Sequence, residues 1–367
     1  MEIDTSPANY EQQLDTKLDV FQEQLRLVNI SASNIEVFKS PLKHFRMRTE
    51  FRVWHEGDEA HYAMHHPQTK QVYTLTEFPI ASEAICQCMP KLIDEINANE
   101  QLKRKLFQVE FLSTTGGELL ISMIYHRPLK EDWEEQARQL EKKLDVYIIG
   151  RSRKQKVVLS QDYVIEQMLV DNTTFFYQQT ENGFTQPNAT VCQKMLQWAS
   201  QQATILNNDK AKDLLELYCG NGNFTLPLST NFRKILATEV SKTSVRSAQF
   251  NINKNAITNV NIMRLSSEET VQALNKEREF RRLQDIELDT YDFSTVFVDP
   301  PRAGLDESTL ALIKRFDNII YISCNPETFI QNVKLLDEYS MHKLAAFDQF
   351  PYTHHLEVGA ILVKRKQ

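Results

Sequence analysis

Leu14, Leu18, Phe21, Leu25 and Val28 recur at spacings of four, three, four and three. That is the apolar stripe of one helix face, and it predicts a helix over 9–28 docked on the body of the protein. Strand patterns follow. Residues 44–54 predict a strand, 62–64 and 71–76 a hairpin around Pro67–Lys70, and 106–113 and 118–125 a second hairpin turning at Gly116-Gly117. Helical spacing returns over 81–97 and 133–143, with a strand over 146–149. Hairpin-paired strands with helices between them predict an α+β domain with a mostly antiparallel sheet.

The rhythm changes after about residue 185. A helix over 193–206, strands over 213–218, 234–238 and 259–264, and a helix over 241–253 alternate as in a doubly wound, Rossmann-like α/β fold. Two apolar runs near the C-terminal end, Thr295-Val-Phe-Val-Asp299 and Ile319-Ile-Tyr-Ile-Ser-Cys324, each break at a proline. They predict buried parallel strands joined by a crossover helix over 305–316. The charged stretch 277–292 interrupts the alternation as an inserted loop. The expected organisation is an N-terminal amphipathic helix (1–36), an α+β domain (37–180) and a Rossmann-like domain (181–367).

Composition narrows the class. With 367 residues and 41% hydrophobic content the chain can build two cores. It has no run of 18 apolar residues, so no membrane span is expected. The start Met1-Glu-Ile-Asp-Thr-Ser-Pro lacks the basic and apolar regions of a signal peptide. Five cysteines do not make a disulfide framework, and Cys86 and Cys88 lack partners at metal-site spacing. A cytoplasmic protein without a metal is expected, and no self-pairing motif argues against a monomer.

The net charge of −7 argues globally against a nucleic-acid partner. The local distribution qualifies this. Lys39, Lys43, Arg46, Arg48 and Arg52 cluster with Phe45, Phe51 and Trp54, and Glu50 is the only acid among them. A second basic cluster spans Arg151–Lys156. Cations interleaved with aromatics suit looped or single-stranded RNA, although a solvated strand face has the same pattern.

Leu214-Leu-Glu-Leu-Tyr-Cys-Gly-Asn-Gly222 runs a buried strand into a Gly-x-Gly turn that admits a nucleotide moiety. Thr225 stands where a dinucleotide site would have its third glycine. Glu239 ends the next strand, where a carboxylate can accept from both ribose hydroxyls, and Asp299 ends a later one. An adenosyl cofactor without a pyrophosphate fits best, and S-adenosylmethionine is the natural choice. Cys324 is then the candidate thiol nucleophile beside the methyl donor, with a small buried hydrophobe as the plain alternative. A methyl acceptor that needs a thiol is a carbon too poor a nucleophile alone, such as C5 of uracil. Such a reaction also needs a base, and Glu357 in Tyr352-Thr-His-His-Leu-Glu-Val-Gly359 is the candidate. A strand-edge carboxylate without a catalytic role is the plain alternative.

Gln186 in Phe-Thr-Gln-Pro-Asn, Glu216-Leu-Tyr-Cys-Gly-Asn-Gly-Asn-Phe224, Asp299-Pro-Pro-Arg302, Ser323-Cys-Asn-Pro326 and His354-His-Leu-Glu-Val358 occur in that order. Together they resemble the RNA 5-methyluridine methyltransferase family, over nearly the whole chain and most nearly its members acting on position 54 of the tRNA T loop. The resemblance implies Cys324 as nucleophile and Glu357 as proton acceptor. It implies Gln186, Tyr218, Asn223, Glu239 and Asp299 as S-adenosylmethionine contacts, and Phe107, His126 and Arg302 as RNA contacts. Arg46, Arg48 and Arg52 are expected to include phosphate contacts. The T arm of tRNA is the expected partner, with other RNAs carrying a T-arm-like hairpin as further ones. The chain lacks the four-cysteine cluster of many ribosomal-RNA members, which argues against an iron–sulfur cofactor and a ribosomal substrate. An RNA-binding or tRNA-folding chaperone on the same scaffold is the competing class, and the intact Cys324, Asp299 and Glu357 weigh against it.

Overall fold

A computed structural model describes residues 6–30, 34–66 and 69–366. The chain divides into two compact units that are interleaved in sequence. The first takes in Pro41–Gln167 and Gln179–Ala189, the second Tyr10–Ser40, Met168–Gln178 and Thr190 onward. The sequence reading divides the chain consecutively. One difference arises at the N-terminus, where the Ile35–Phe38 strand pairs in parallel with Tyr339–Phe347 and carries the preceding helix into the second unit, and another at Met168–Gln178, which also falls in the second unit.

The first unit is built on a seven-stranded sheet. Its order is Val72–Leu75, Glu59–His65, Arg48–Glu56, Leu106–Ser113, Leu119–Tyr125, Tyr147–Ser152, Gln155–Val158. All pairings are antiparallel except that of Leu119–Tyr125 with Tyr147–Ser152, which the Glu131–Leu144 helix joins as a crossover. Phe51, Tyr62, Phe111 and Trp133 centre its core. The hairpin expected around Pro67–Lys70 forms, although Pro67 and Gln68 lie outside the described residues. A further hairpin, Tyr163–Val170 with Thr173–Thr180, is not foreseen by the pattern.

The second unit holds an eight-stranded sheet. Its order is Ile35–Phe38, Tyr339–Phe347, Glu357–Lys364, Asn318–Ser323, Phe293–Val298, Asp213–Leu217, Ile235–Thr238, Val260–Met263. Glu357–Lys364 runs antiparallel to both its neighbours, and the remaining pairings are parallel. The strand order reverses between Asp213–Leu217 and Phe293–Val298, the place where open α/β sheets leave a crevice beyond their carboxyl ends. The Tyr10–Leu27 helix buries Leu14, Phe21 and Leu25 as its stripe predicts, and also buries Lys17, which the stripe does not. The stretch 277–292 contains two short 3-10 turns and packs Phe280 and Leu283 on Leu265 and Ala273. No helix among the described residues is long and apolar enough to cross a membrane, and no group of three or more His, Cys, Asp or Glu among them could hold a metal ion.

Candidate active site

Register alone brings the chemistry-bearing residues of the second unit into one row. Leu217 pairs with Thr238 on one side and Val298 on the other, and Val298 pairs with Tyr321. The residues that follow these rungs, Tyr218, Glu239 and Asp299, therefore leave the sheet side by side at its carboxyl edge. Cys324 leaves the next strand, and the antiparallel rung Ser323–Val358 sets Cys324 against Glu357.

Local sequence explains each exit. Asn325 caps the Pro326–Lys334 helix, its Oδ1 accepting from Glu327 N at 3.1 Å, and Pro326 fills the first turn, where no N–H is needed. Cys324 is thus held between a strand end and a helix cap. The neighbouring loop is tied to the same helix: Asn325 Nδ2 and Thr328 Oγ1 donate to the Arg302 carbonyl at 3.1 and 3.2 Å. Gly304, at φ 79°, lies so close to Asn332 that a Cβ there would meet its Oδ1 at 2.7 Å. The Arg302 side chain is exposed.

The glycine turn leaves the strand next to that of Asp299. Tyr218 takes φ 61°, a costly conformation for a bulky residue, and Gly220 and Gly222 follow at 57° and 84°. Space for a Cβ is open at Gly220. Glu239 Oε2 accepts from Gly220 N at 3.1 Å and Oε1 from Ser241 N at 2.7 Å, which leaves each oxygen a free lone-pair direction. Asn223 is anchored through its carbonyl, which accepts from Tyr177 Oη at 3.1 Å. An open backbone cradle, a half-exposed carboxylate beside it and a row of acids fit an adenosyl group with a cationic sulfonium.

The electrostatics of the row are those of crowded acids. Burial pushes Glu357 up to about 8, with Asp299 adding to the effect. Burial likewise raises Asp299 to about 7. Cys324 is pushed up to about 11 by burial and then by Glu357 and Asp299, against opposing pulls from a backbone hydrogen bond and from Arg302. Glu216, in the buried Asp213–Leu217 strand, is raised to about 8 by burial, with Thr225 pulling the other way and Asp299 adding to the rise, and its Oε2 makes no hydrogen bond of ordinary geometry. Sequence reasoning passes over Glu216 as a site residue, although a lone acid inside Leu214-Leu-Glu-Leu217 is a visible signal.

Other expected positions lie in the first unit. Gln186 sits on the loop after Glu181. Arg52 places its guanidinium 3.7 Å from the Phe107 ring centroid, and His126 stacks on the same ring at 3.9 Å. These three residues, far apart in sequence, make one stack. Arg46 donates from Nε to the Arg48 carbonyl at 3.0 Å. Arg48 departs from the expected role at a phosphate. Its guanidinium donates to the carbonyls of Thr180, Glu181 and Gly183 at 3.3, 2.6 and 3.0 Å, so it grips a loop of its own chain. Arg151 and Lys156, the second basic cluster, pair with the Glu181 carboxylate on the same loop.

The chain matches the family described as tRNA (Uracil-5-)-methyltransferase over residues 9–365. A tRNA/tmRNA (uracil-C(5))-methyltransferase of Saccharophagus degradans is 57% identical over 363 residues, covering 98% of each chain. One of the same name from Cellvibrio japonicus is 53% identical over 363 residues, covering 99% of this chain and 98% of its own. Among solved structures, Pyrococcus abyssi tRNA (uracil-54, C5)-methyltransferase in complex with S-adenosyl-L-homocysteine shares the fold, with a TM-score of 0.70 at 20% identity over 97% of this chain and 84% of that one. A match of this length and identity has one meaning: the chain belongs to the tRNA (uracil-5-)-methyltransferase family of S-adenosylmethionine-dependent enzymes.

Proposed function

We propose that the enzyme methylates C5 of the uridine at position 54 in the T loop of tRNA, through a transient covalent bond between Cys324 and C6 of the base. The observation that carries this reading is the rung that sets Cys324 against Glu357 in the same row as Asp299 and Glu239. Uracil C5 is a weak nucleophile. Addition of the Cys324 thiolate at C6 moves the C5–C6 π pair into an enolate, and C5 then takes the methyl group. The adduct now carries both a methyl and a proton at C5. Glu357 accepts that proton, the electron pair re-forms the double bond, and the C6–S bond breaks to return the thiolate. One methyl enters and one proton leaves. A carboxylate raised to about 8 is a competent base near neutral pH.

S-adenosylmethionine, when bound, supplies the methyl group and one positive charge. Glu239 is suited to the ribose hydroxyls, the glycine turn with Tyr218 and Asn223 to the adenosyl body, and Asp299 to the cationic end. In the first unit, Arg52, Phe107 and His126 offer stacked planes on which an unstacked base can lie. Arg302 is the RNA contact beside the chemistry, and Arg46 and Arg52 are phosphate contacts. The relatives' names pair tRNA with tmRNA, which supports other RNAs with a T-arm-like hairpin as further substrates. The enzyme works as a cytoplasmic monomer in this reading.

The test is single-turnover reaction with methyl-labelled donor and unmodified tRNA, followed by a denaturing gel. Cys324→Ala forms no covalent band and transfers no methyl. Glu357→Gln transfers methyl but retains labelled RNA on the protein. Adduct that persists in Cys324→Ala and disappears in Cys219→Ala would reassign the nucleophile.

A further inference from the structure

The Tyr10–Leu27 helix takes no part in the chemistry above, yet one of its faces is given over to a single loop. Tyr10, Gln13 and Lys17 lie three and four residues apart and so share that face. Lys17 Nζ donates to Asp348 Oδ1 at 2.7 Å and to the Phe350 carbonyl at 2.8 Å. Both charged side chains are almost wholly buried, at 4% and 0% exposure. Gln13 donates to the Thr353 carbonyl and accepts from Tyr352 N at 3.2 Å. The Tyr10 ring meets the Tyr352 ring edge-on, with centroids 5.9 Å apart.

The loop held in this way spans 348–356 and joins the two strands whose last rung is Phe347–Glu357. It therefore begins and ends at the rung of Glu357. Its conformation is not one the backbone adopts freely: Tyr352 sits at φ 63°. Such a residue stays in place only where its surroundings hold it, and Gln13 accepts the hydrogen bond of its N–H. A buried ion pair adds little stability over an apolar pair of the same volume, so its retention here points to fixed geometry.

We propose that Lys17 and Gln13 are positioning residues for Glu357, acting through the 348–356 loop. The inference rests on Glu357 being the proton acceptor. Elimination is the step that needs that carboxylate, whereas adduct formation and methyl transfer do not. Loosening the loop therefore slows release of RNA from the methylated adduct more than it slows methyl transfer.

The experiment compares wild type, Gln13→Ala, Lys17→Met, the double variant Lys17→Met/Asp348→Leu and Glu357→Gln, all as full chains with labelled donor and unmodified tRNA. The double variant leaves no unpaired buried charge, so it keeps the test open if Lys17→Met fails to fold. Expected is accumulation of methylated, protein-bound RNA, with release slowed roughly tenfold or more and methyl transfer nearly unchanged. A purely structural helix would lower the melting temperature and reduce both steps together, and that outcome overturns the proposal. Normal release by folded Gln13→Ala and the double variant, while Glu357→Gln holds its adduct, also overturns it and leaves the base assignment standing. Normal release by Glu357→Gln removes the base assignment and the positioning role with it.

Discussion

Cys324 and Glu357 stand opposite each other at the end of the ladder between the Asn318–Ser323 and Glu357–Lys364 strands, one rung beyond Ser323–Val358. Directly opposed residues of an antiparallel pair lie on the same face with their Cβ atoms about 5 Å apart. The carboxylate is thus one of the causes holding the thiol up at about 11. Glu357→Gln removes that charge while keeping the shape. The thiol pKa should fall, and a drop of about one unit gives roughly tenfold more thiolate at pH 9. The rate of Cys324 alkylation by iodoacetamide against pH, read by peptide mass, checks this. An unchanged profile would mean that the two groups do not interact.

The same crowding makes the thiol sensitive to a cation. Cys324, Glu357 and Asp299 are all raised, and a positive charge beside Asp299 favours the charged form of each. S-adenosylmethionine carries that charge and S-adenosylhomocysteine does not. Alkylation of Cys324 at pH 8 should therefore speed up with the first relative to the second at equal saturation. Equal rates would place the sulfonium away from the acid row.

Stability should carry the imprint of Glu357 as well. Its pKa is raised from 4.5 to about 8, so its favourable contribution is complete below about 4.5 and is lost as pH rises towards 8. Above that window the folded protein bears an ionised buried carboxylate at a cost of a few kcal/mol. Glu357→Gln removes the cost. Its melting temperature relative to wild type should climb between pH 5 and pH 9. A difference that is flat across this range would show that Glu357 does not titrate there.

Much of this arrangement is legible in the sequence because it follows from strand endings. An apolar run broken by proline marks both Asp299 and Cys324, and Gly220-Asn-Gly222 followed by Glu239 marks the turn and its carboxylate. Glu357 is harder to read. Its role depends on an antiparallel strand inserted between parallel ones, and no local pattern states that pairing. Lys17 is hidden for a related reason. It is a charged residue set into the buried face of an amphipathic stripe, between Leu14 and Phe21, and gains its partner, Asp348, from the far end of the chain. The hairpin of Tyr163–Val170 and Thr173–Thr180 escapes notice because its turn, Asp171-Asn172, takes positive φ without a glycine. The stack of Arg52, Phe107 and His126 is foreseen residue by residue but not as one object, since it is assembled from the middle of one strand, the start of a second and the residue after a third.

Arg48 and Arg52 share one face of the same strand, and the pattern alone gives them the same role. The structure separates them. Arg48 spends its guanidinium on three carbonyls of the Thr180–Gly183 stretch, whereas Arg52 lies over Phe107 next to the exposed His126. Arg48→Ala should leave those carbonyls short of donors and lower stability by roughly 1–3 kcal/mol. It should leave the salt dependence of tRNA binding unaltered. Arg52→Ala should do the reverse: the fold is nearly as stable, affinity falls, and the slope of log affinity against log salt drops by roughly 0.7–0.9, the share of a single neutralised phosphate. Thermal unfolding and a binding series across salt concentrations on both variants separate the two roles. A reduced slope in Arg48→Ala would mean that its guanidinium leaves the loop to meet the RNA. An unchanged slope in Arg52→Ala would mean that it steers Phe107 as a stacking plane and neutralises no phosphate.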